Sequence, residues 1–188
     1  MKKHIITSIL YTAITAIVLG IGYPLLITGI AHLAFPAKAN GSLITRNGEL
    51  IGSKLIGQSF TGPTYFHSRP SAAGTGYDAA NSSGSNLAPT SKALIDRVNA
   101  SITTETAAQT QAQPVPIDLV TASASGLDPD ITPAAALYQV PRIAHERNLP
   151  EPLIHQLVLT QTKPRQFGLL GEPTVNVLTL NLALDQLH

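Results

Sequence analysis

The sequence contains no cysteine and only a small share of charged residues, 12% of the chain. Without cysteine, disulfides, thiolate metal sites and cysteine nucleophiles are all excluded. The 12 Lys and Arg residues nearly balance 11 Asp and Glu residues. Because no basic stripe stands out, nucleic acid is not an expected partner. A chain of 188 residues amounts to one domain, or to one domain with an appendage.

A long apolar run lies near the N-terminus. Residues 4–37 contain no Asp, Glu, Lys or Arg, and the run from Ile5 to Ala34 is mostly apolar. About 20 apolar residues suffice to cross a hydrocarbon core about 30 Å thick, so the run predicts a single transmembrane helix. The alternative is a cleaved signal peptide, because Ala37-Lys38-Ala39 resembles a cleavage site. The apolar region of a signal peptide, however, spans only about 7–15 residues.

Basic residues before the run indicate its orientation. Lys2 and Lys3 precede it, and the positive-inside rule places such residues in the cytoplasm. The few basic residues after the run oppose this only weakly. We therefore expect residues 1–38 to form a cytoplasmic tip and transmembrane helix of an inner-membrane protein. Residues 39–188 should form an extracytoplasmic, periplasmic soluble domain.

Small residues recur along the predicted helix. Thr12, Ala16, Gly20, Pro24 and Thr28 follow one another every four positions, a spacing that lets a neighbouring helix approach closely. We predict that the ridge of Thr12, Ala16 and Gly20 packs against a helix of a partner subunit. The alternative is that Gly and Pro are simply common in membrane helices.

Residues 57–90 form a long stretch rich in Gly, Ser, Ala, Asn and Pro. A connection of this length inside a compact domain is either disordered or functional, and its aromatic rings favour an ordered loop. Tyr65, Phe66, His67 and Arg69 offer the ring area and fixed charge of interface anchors, so we predict that they contact a partner. The alternative is that Phe66 packs into the core of the domain and Arg69 caps a carbonyl.

The remaining pattern predicts an α+β fold, with one mixed soluble domain and a small sheet after the transmembrane helix. Asn47-Gly48 predicts the turn of a β-hairpin within residues 43–56, and Thr132-Pro133 predicts a helix start. Further predictions are helices over 89–104, from Thr132 to Arg147 with a kink or division at Pro141, over 151–161 and over 177–187, and strands over 117–122 and 174–177.

Candidate chemistry is sparse. The six histidines follow no ligand motif, so no metal site is expected. Asp128-Pro129-Asp130 places two carboxylates together, but carboxylates before a helix N-terminus also have an electrostatic reason to be there. The turns at 83–86 and 123–126 resemble phosphate cradles without matching a Walker A loop, and ordinary turn chemistry is favoured. We find no complete catalytic set and expect a protein that is not an enzyme.

Six sequence blocks, in order and covering nearly the whole chain, resemble the C subunit of the Kdp potassium-transporting P-type ATPase. The blocks are GSKLIGQSF at 52–60, YFHSRPS at 65–71, GSNL at 84–87, VTASASGLD at 120–128, QVPRIA at 139–144 and VNVLTLNLALD at 175–185.

The resemblance implies an accessory subunit of a bacterial complex that imports K⁺ at the expense of ATP. Its partners would be a channel-like potassium-binding subunit, a P-type ATPase subunit and the lipid bilayer. The family's description as a catalytic chaperone implies a nucleotide contact, for which Gln139 is the matching residue. No cofactor would be tightly bound, and ATP would act through the complex.

The nucleotide role conflicts with the predicted orientation, because a periplasmic domain would meet essentially no ATP. A structural role beside the channel-like subunit fits both the charge rule and the resemblance. The alternatives are a membrane-anchored extracytoplasmic enzyme and a binding module, each using the 57–90 loop as its site.

Overall fold

A computed structural model describes residues 1–109 and 113–187. The chain forms two compact units, Met1–Ser53 and Lys54–His188. The fold is α+β as predicted: an apolar N-terminal helix is followed by helices and small antiparallel sheets. The predicted boundary at residue 38 differs from this division, because the first unit also contains the β-hairpin.

The first unit is mostly one long helix. It comprises α1 (Lys2–Ile17), a π-helical segment (Val18–Gly22) and α2 (Tyr23–Ala34). Together they span 33 residues, or about 50 Å at 1.5 Å per residue. No residue of the helix is buried, and it is long and apolar enough to cross a membrane.

A short helix and a β-hairpin complete the first unit. They are α3 (Pro36–Ala39), β1 (Leu43–Arg46) and β2 (Glu49–Ser53), with the two strands paired antiparallel. Asn47 and Gly48 both have positive φ, 54° and 82°, as a tight type I′ turn requires. The predicted hairpin is therefore confirmed.

The second unit contains four helices and a three-stranded sheet among the residues that the structure describes. The helices are α4 (Lys92–Ala107), α5 (Pro133–Arg147), α6 (Glu151–Gln161) and α7 (Val177–Leu184). The strands are β3 (Asp130–Ile131), β4 (Thr162–Lys163) and β5 (Thr174–Asn176), in the antiparallel order β3-β5-β4.

The core of the second unit lies where α5, α6 and α7 meet the sheet. Its fully buried members include Phe66 from the 57–90 loop and Ile143, Ile154 and Leu180 from the helices. The loop therefore contributes a large ring to the core. By contrast, α4 has no buried residue, so it covers the domain without entering its core.

The helix predictions are mostly confirmed. The hydroxyl of Thr132 accepts a hydrogen bond from the Ala135 amide, and Pro133 is the first residue of α5. This helix continues through Pro141 to Arg147, so the proline does not divide it. The predicted helix over 151–161 has the observed bounds of α6.

Two predictions need correction. The helix expected from residue 89 begins at Lys92, because the Ser91 amide bonds the Ala88 carbonyl and keeps Pro89 in a preceding turn. The strand expected over 117–122 is instead a 3-10 turn at Ile117–Leu119, in which the Thr121 amide bonds the Ile117 carbonyl. That local hydrogen bond removes an amide that a strand would have offered to a neighbour.

Candidate functional site

The 57–90 loop contains no regular strand or helix, yet one of its segments is tied down residue by residue. The five carbonyl oxygens of residues 63–67 each accept a hydrogen bond from a side chain of α5 or α7. We call this segment the clamped segment. Buried backbone groups must find partners, and here the partners come from distant helices rather than from a neighbouring strand.

Gln139 of α5 forms one half of a paired grip on the clamped segment. Its amide oxygen accepts from the His67 amide at 2.7 Å, and its amide nitrogen donates to the His67 carbonyl at 3.2 Å. The same nitrogen donates to the Ala135 carbonyl at 3.2 Å, and the oxygen also accepts from Arg142 at 2.9 Å. Gln139 is fully buried, and these four bonds use the whole capacity of its side-chain amide.

Asn181 of α7 forms the other half. Its amide oxygen accepts from the Phe66 amide at 2.9 Å, and its amide nitrogen donates to the Phe66 carbonyl at 3.0 Å. Asn181 is 2% exposed. Each of these two side-chain amides therefore acts as a neighbouring strand would, bonding both backbone groups of one residue.

Two arginines of α5 hold the first half of the clamped segment. Arg142 donates to the Pro63 and Tyr65 carbonyls. Arg147 donates to the Thr64 carbonyl at 2.8 Å, and its guanidinium lies 4.8 Å from the centre of the Tyr65 ring. Burial lowers the pKa of Arg142, although nearby Glu residues oppose the shift. Several directional bonds offset the cost of burying this cation.

Arg69 extends the network to the segment before α5. It donates to the Thr121 carbonyl at 3.4 Å and to the Thr121 hydroxyl at 3.2 Å. It also lies 3.5 Å from a carboxylate oxygen of Asp128 and 3.8 Å from one of Asp118. Asp118 in turn accepts from the Thr132 amide at the start of α5. The side chain of Arg69, 24% exposed, thus joins two loops to a helix end.

The glycine- and serine-rich turn at 83–86, within the loop, packs against the turn at 123–126. A Cβ on Gly84 would lie 2.9 Å from the Ala124 carbonyl oxygen, and one on Gly126 would lie 2.6 Å from the Ser83 carbonyl oxygen. The Gly126 amide donates a hydrogen bond to the Ser123 hydroxyl at 2.9 Å. Ordinary turn chemistry therefore accounts for these glycines.

The predicted loop contacts thus occupy several environments. Phe66 is fully buried, so its ring offers no surface to a partner in this conformation. Tyr65 is half-buried, and His67 and Arg69 have side chains 22% and 24% exposed. The structure brings Gln139 into direct contact with His67 and keeps it away from solvent. Partner contact by these loop residues and nucleotide contact by Gln139 stay predictions.

Sequence reasoning missed Arg142, Arg147 and Asn181. A signal for Asn181 was available, since it interrupts the apolar run of α7 directly after the fully buried Leu180. Arg142 also follows Gln139 by three positions, which places both on one helix face.

A cavity of about 450 Å³ lies between the loop and α4. His67 faces it from the loop, with its Nδ1 atom 3.7 Å from Glu105 of α4. Within the described ranges, one buried carboxylate oxygen of Glu105 and the buried Nε of Arg97 have no hydrogen-bond partner. Across the same ranges, no group of three or more His, Asp and Glu side chains is placed to hold a metal ion.

The predicted ridge of the long N-terminal helix is open. Thr12, Ala16 and Gly20 are all exposed. A Cβ added at Gly20 would meet no atom within 4 Å. The π-helical segment ends one residue before Tyr23-Pro24, and proline removes an amide from the helix ladder.

One helix long and apolar enough to span a membrane and one α+β unit together are the architecture expected of a membrane-associated protein. The chain belongs to the KdpC family, whose model, described as the c chain of the K⁺-transporting ATPase, matches residues 5–186. This finding confirms the resemblance of the sequence blocks. It supports an accessory-subunit role in potassium import and implies other subunits of the same ATPase as partners.

Similar proteins cover nearly the whole chain. A potassium-transporting ATPase KdpC subunit of Acidobacterium capsulatum is 64% identical, over 99% of this chain and 100% of the relative. The protein of that name from Koribacter versatilis is 57% identical over 98% and 95%. That from Methylobacterium nodulans is 51% identical over 100% and 98%.

Proposed function

We propose that the chain is a non-catalytic accessory subunit that holds a potassium-transporting ATPase together, using its membrane helix and its soluble unit as two attachment surfaces. The observation that carries this proposal is the helix, which is 33 residues long and has no buried residue. Its partners would be the channel-like potassium-binding subunit and the ATP-hydrolysing subunit. The network around the clamped segment supports the proposal, because a rigid surface loses less entropy on binding than a mobile one.

The ridge provides the sharpest test of this proposal. In Gly20→Leu a bulky side chain fills the notch where a partner helix would approach. We expect this variant to be lost from the complex during detergent purification. Gly29→Leu is a matched control, because Gly29 is equally open and lies nine positions along on a different face. Equal retention of both variants would place the ridge against lipid and contradict the proposal.

The proposal includes the orientation. Lys2 and Lys3 would hold the N-terminus in the cytoplasm, and the soluble unit would lie outside. Protease added to intact spheroplasts should digest the soluble unit. If the soluble unit is protected until the membrane is broken, the orientation is opposite to the one proposed. The soluble unit would then lie in the cytoplasm, where ATP is present.

Nucleotide contact through Gln139 is a separate hypothesis that its geometry does not favour, because four existing hydrogen bonds would have to break. Gln139→Glu keeps the acceptor oxygens and removes the donors to the His67 and Ala135 carbonyls. We expect it to lower the melting temperature of the chain while leaving the nucleotide affinity of the assembled complex unchanged. Lower ATP affinity at unchanged stability would favour the nucleotide role. ATP hydrolysis by the purified chain alone would overturn the accessory role.

A binding module is the second candidate, and the cavity between the loop and α4 favours it. Its volume, about 450 Å³, falls within the range of small-molecule pockets, and Glu105 and Arg97 face it with unpartnered atoms among the described residues. Potassium chloride and ATP, compared with sodium chloride, are the probes to use in melting experiments on the full chain. Stabilisation that Glu105→Gln abolishes would support a ligand site there.

A further inference from the structure

The connection between β4 and β5 carries the two most exposed large apolar side chains among the described residues of the second unit. Phe167 is 92% exposed, Leu169 81% and Leu170 59%. We call these three residues the apolar tip. A cluster of large apolar side chains exposed to solvent usually marks a contact surface. The other aromatic residues of this unit are all buried or half-buried, which makes Phe167 the exception.

The tip is held in one shape by its own backbone. Gln166 and Leu170 exchange two hydrogen bonds of 2.9 Å, each donating its amide to the other's carbonyl. Arg165 and Glu172 close the base with an ion pair of 2.5 Å. Phe167 has a φ of +53°, a conformation that is unfavourable for a bulky residue. The fold thus retains strain that places this ring at the apex.

We propose that the apolar tip inserts into an apolar pocket on another subunit of the ATPase. This inference rests on the proposed accessory role. A fixed, strained conformation gains affinity only against a pocket of matching shape, whereas a fluid bilayer accepts a ring in any orientation. Phe and Leu projecting from a rigid turn form the central anchor of such a contact.

The charges around the tip also favour a protein pocket over a lipid surface. Arg165 is paired with Glu172, and Lys163 lies 3.5 Å from Asp130. Both cations near the tip therefore have an acidic partner. Loops and helices that bind membrane interfaces keep free Lys and Arg for the phospholipid headgroups.

Photo-crosslinking in membranes that contain the whole complex tests the proposal directly. Benzoylphenylalanine in place of Phe167 should crosslink to another subunit of the ATPase. The same group in place of Leu159, an exposed leucine of α6, is the control and should not crosslink. A lipid adduct at position 167, or no adduct, would overturn the proposal.

Phe167→Gly separates binding from folding. Glycine adopts a positive φ without strain, so the melting temperature of the free chain should not fall. Retention in the purified complex should drop at least tenfold, while Leu159→Ala is retained like the wild type. Full retention of Phe167→Gly would overturn the inference. Failure of the wild-type chain to co-purify with any subunit would instead overturn the proposed function itself.

Discussion

Two irregular segments of the soluble unit treat their apolar side chains in opposite ways. In the clamped segment at 63–67, Phe66 is fully buried in the core. In the apolar tip, Phe167 is almost fully exposed to solvent. Neither segment is a strand or a helix. The difference lies in where the backbone finds its hydrogen bonds.

The clamped segment depends on side chains from α5 and α7, which can reach it only in the interior. The backbone at Gln166 and Leu170 bonds to itself and needs no help from the rest of the fold. A turn whose backbone groups bond to each other can project from the surface. A segment whose backbone groups need side chains from distant helices cannot. The location of backbone partners, rather than aromatic content, therefore decides which loop is free to meet another protein.

The largest effect is expected from removing a grip on the clamped segment. Asn181→Leu leaves the buried amide and carbonyl of Phe66 without partners. At about 1–3 kcal/mol for each unsatisfied group, the two groups together should cost about 2–6 kcal/mol in the free energy of unfolding. Denaturant unfolding of the full chain measures it. Asn99→Leu, at an exposed position of α4, is the control; an equally small effect in both variants would show that the grip does not stabilise the fold.

A smaller loss is expected at Arg69, whose side chain is 24% exposed and makes long hydrogen bonds. Arg69→Ala should lower the free energy of unfolding by about 1–2 kcal/mol, since it frees the Thr121 carbonyl and separates two carboxylates from their cation. Arg165→Ala, which breaks a more exposed ion pair, should cost at most about 1 kcal/mol. If Arg69→Ala is neutral for stability yet impairs K⁺-dependent ATPase activity, Arg69 contacts a partner instead.

A smaller effect still is expected at alkaline pH. Burial raises the pKa of Tyr77, although a hydrogen bond with Ser68 opposes the shift. Its hydroxyl donates to the Arg69 carbonyl. A raised pKa in the folded state stabilises the fold below the unfolded value of about 10 and loses that contribution as the pH rises beyond it. Melting temperatures measured between pH 8 and about 11 should therefore fall less steeply for Tyr77→Phe; an unchanged slope would remove Tyr77 as a cause.

The smallest effect should have the opposite sign. Phe167→Gly relieves a positive φ and removes a ring that packs against nothing in the free chain. Because glycine also gains freedom in the unfolded state, the net gain should be only roughly 0.5 kcal/mol. Denaturant unfolding measures it against the wild type. A clear loss of stability would mean that the Phe167 ring supports its own domain.

Local sequence rules predicted the parts of the fold that depend on neighbouring residues. Asn47-Gly48 specified its hairpin turn, and Thr132-Pro133 specified the start of α5, because in both cases the bonding partners lie within a few positions. The segment Ile117–Leu119 forms a 3-10 turn where its pattern predicts a strand, because periodicity does not separate short strands from helical turns.

The burial of the site could not be predicted in the same way. Asn181 lies 115 positions from Phe66 and bonds its backbone, which holds the Phe66 ring in the core. The exposure of Phe167 likewise follows from a turn with no recognised sequence signature. A long-range hydrogen bond thus fixes the burial of Phe66 and a local turn fixes the exposure of Phe167. Neither composition nor spacing contains that information.

The hydrogen bonds between Asn181 and Phe66 also constrain the order in which the protein can fold. Because Asn181 follows Phe66 by 115 positions, the chain must be synthesised through α7 before the clamped segment can close. Until then the Phe66 backbone lacks the two hydrogen bonds that fix it in the core. A contact at such a long sequence separation forms late in folding, which makes α7 a late requirement for a complete soluble unit.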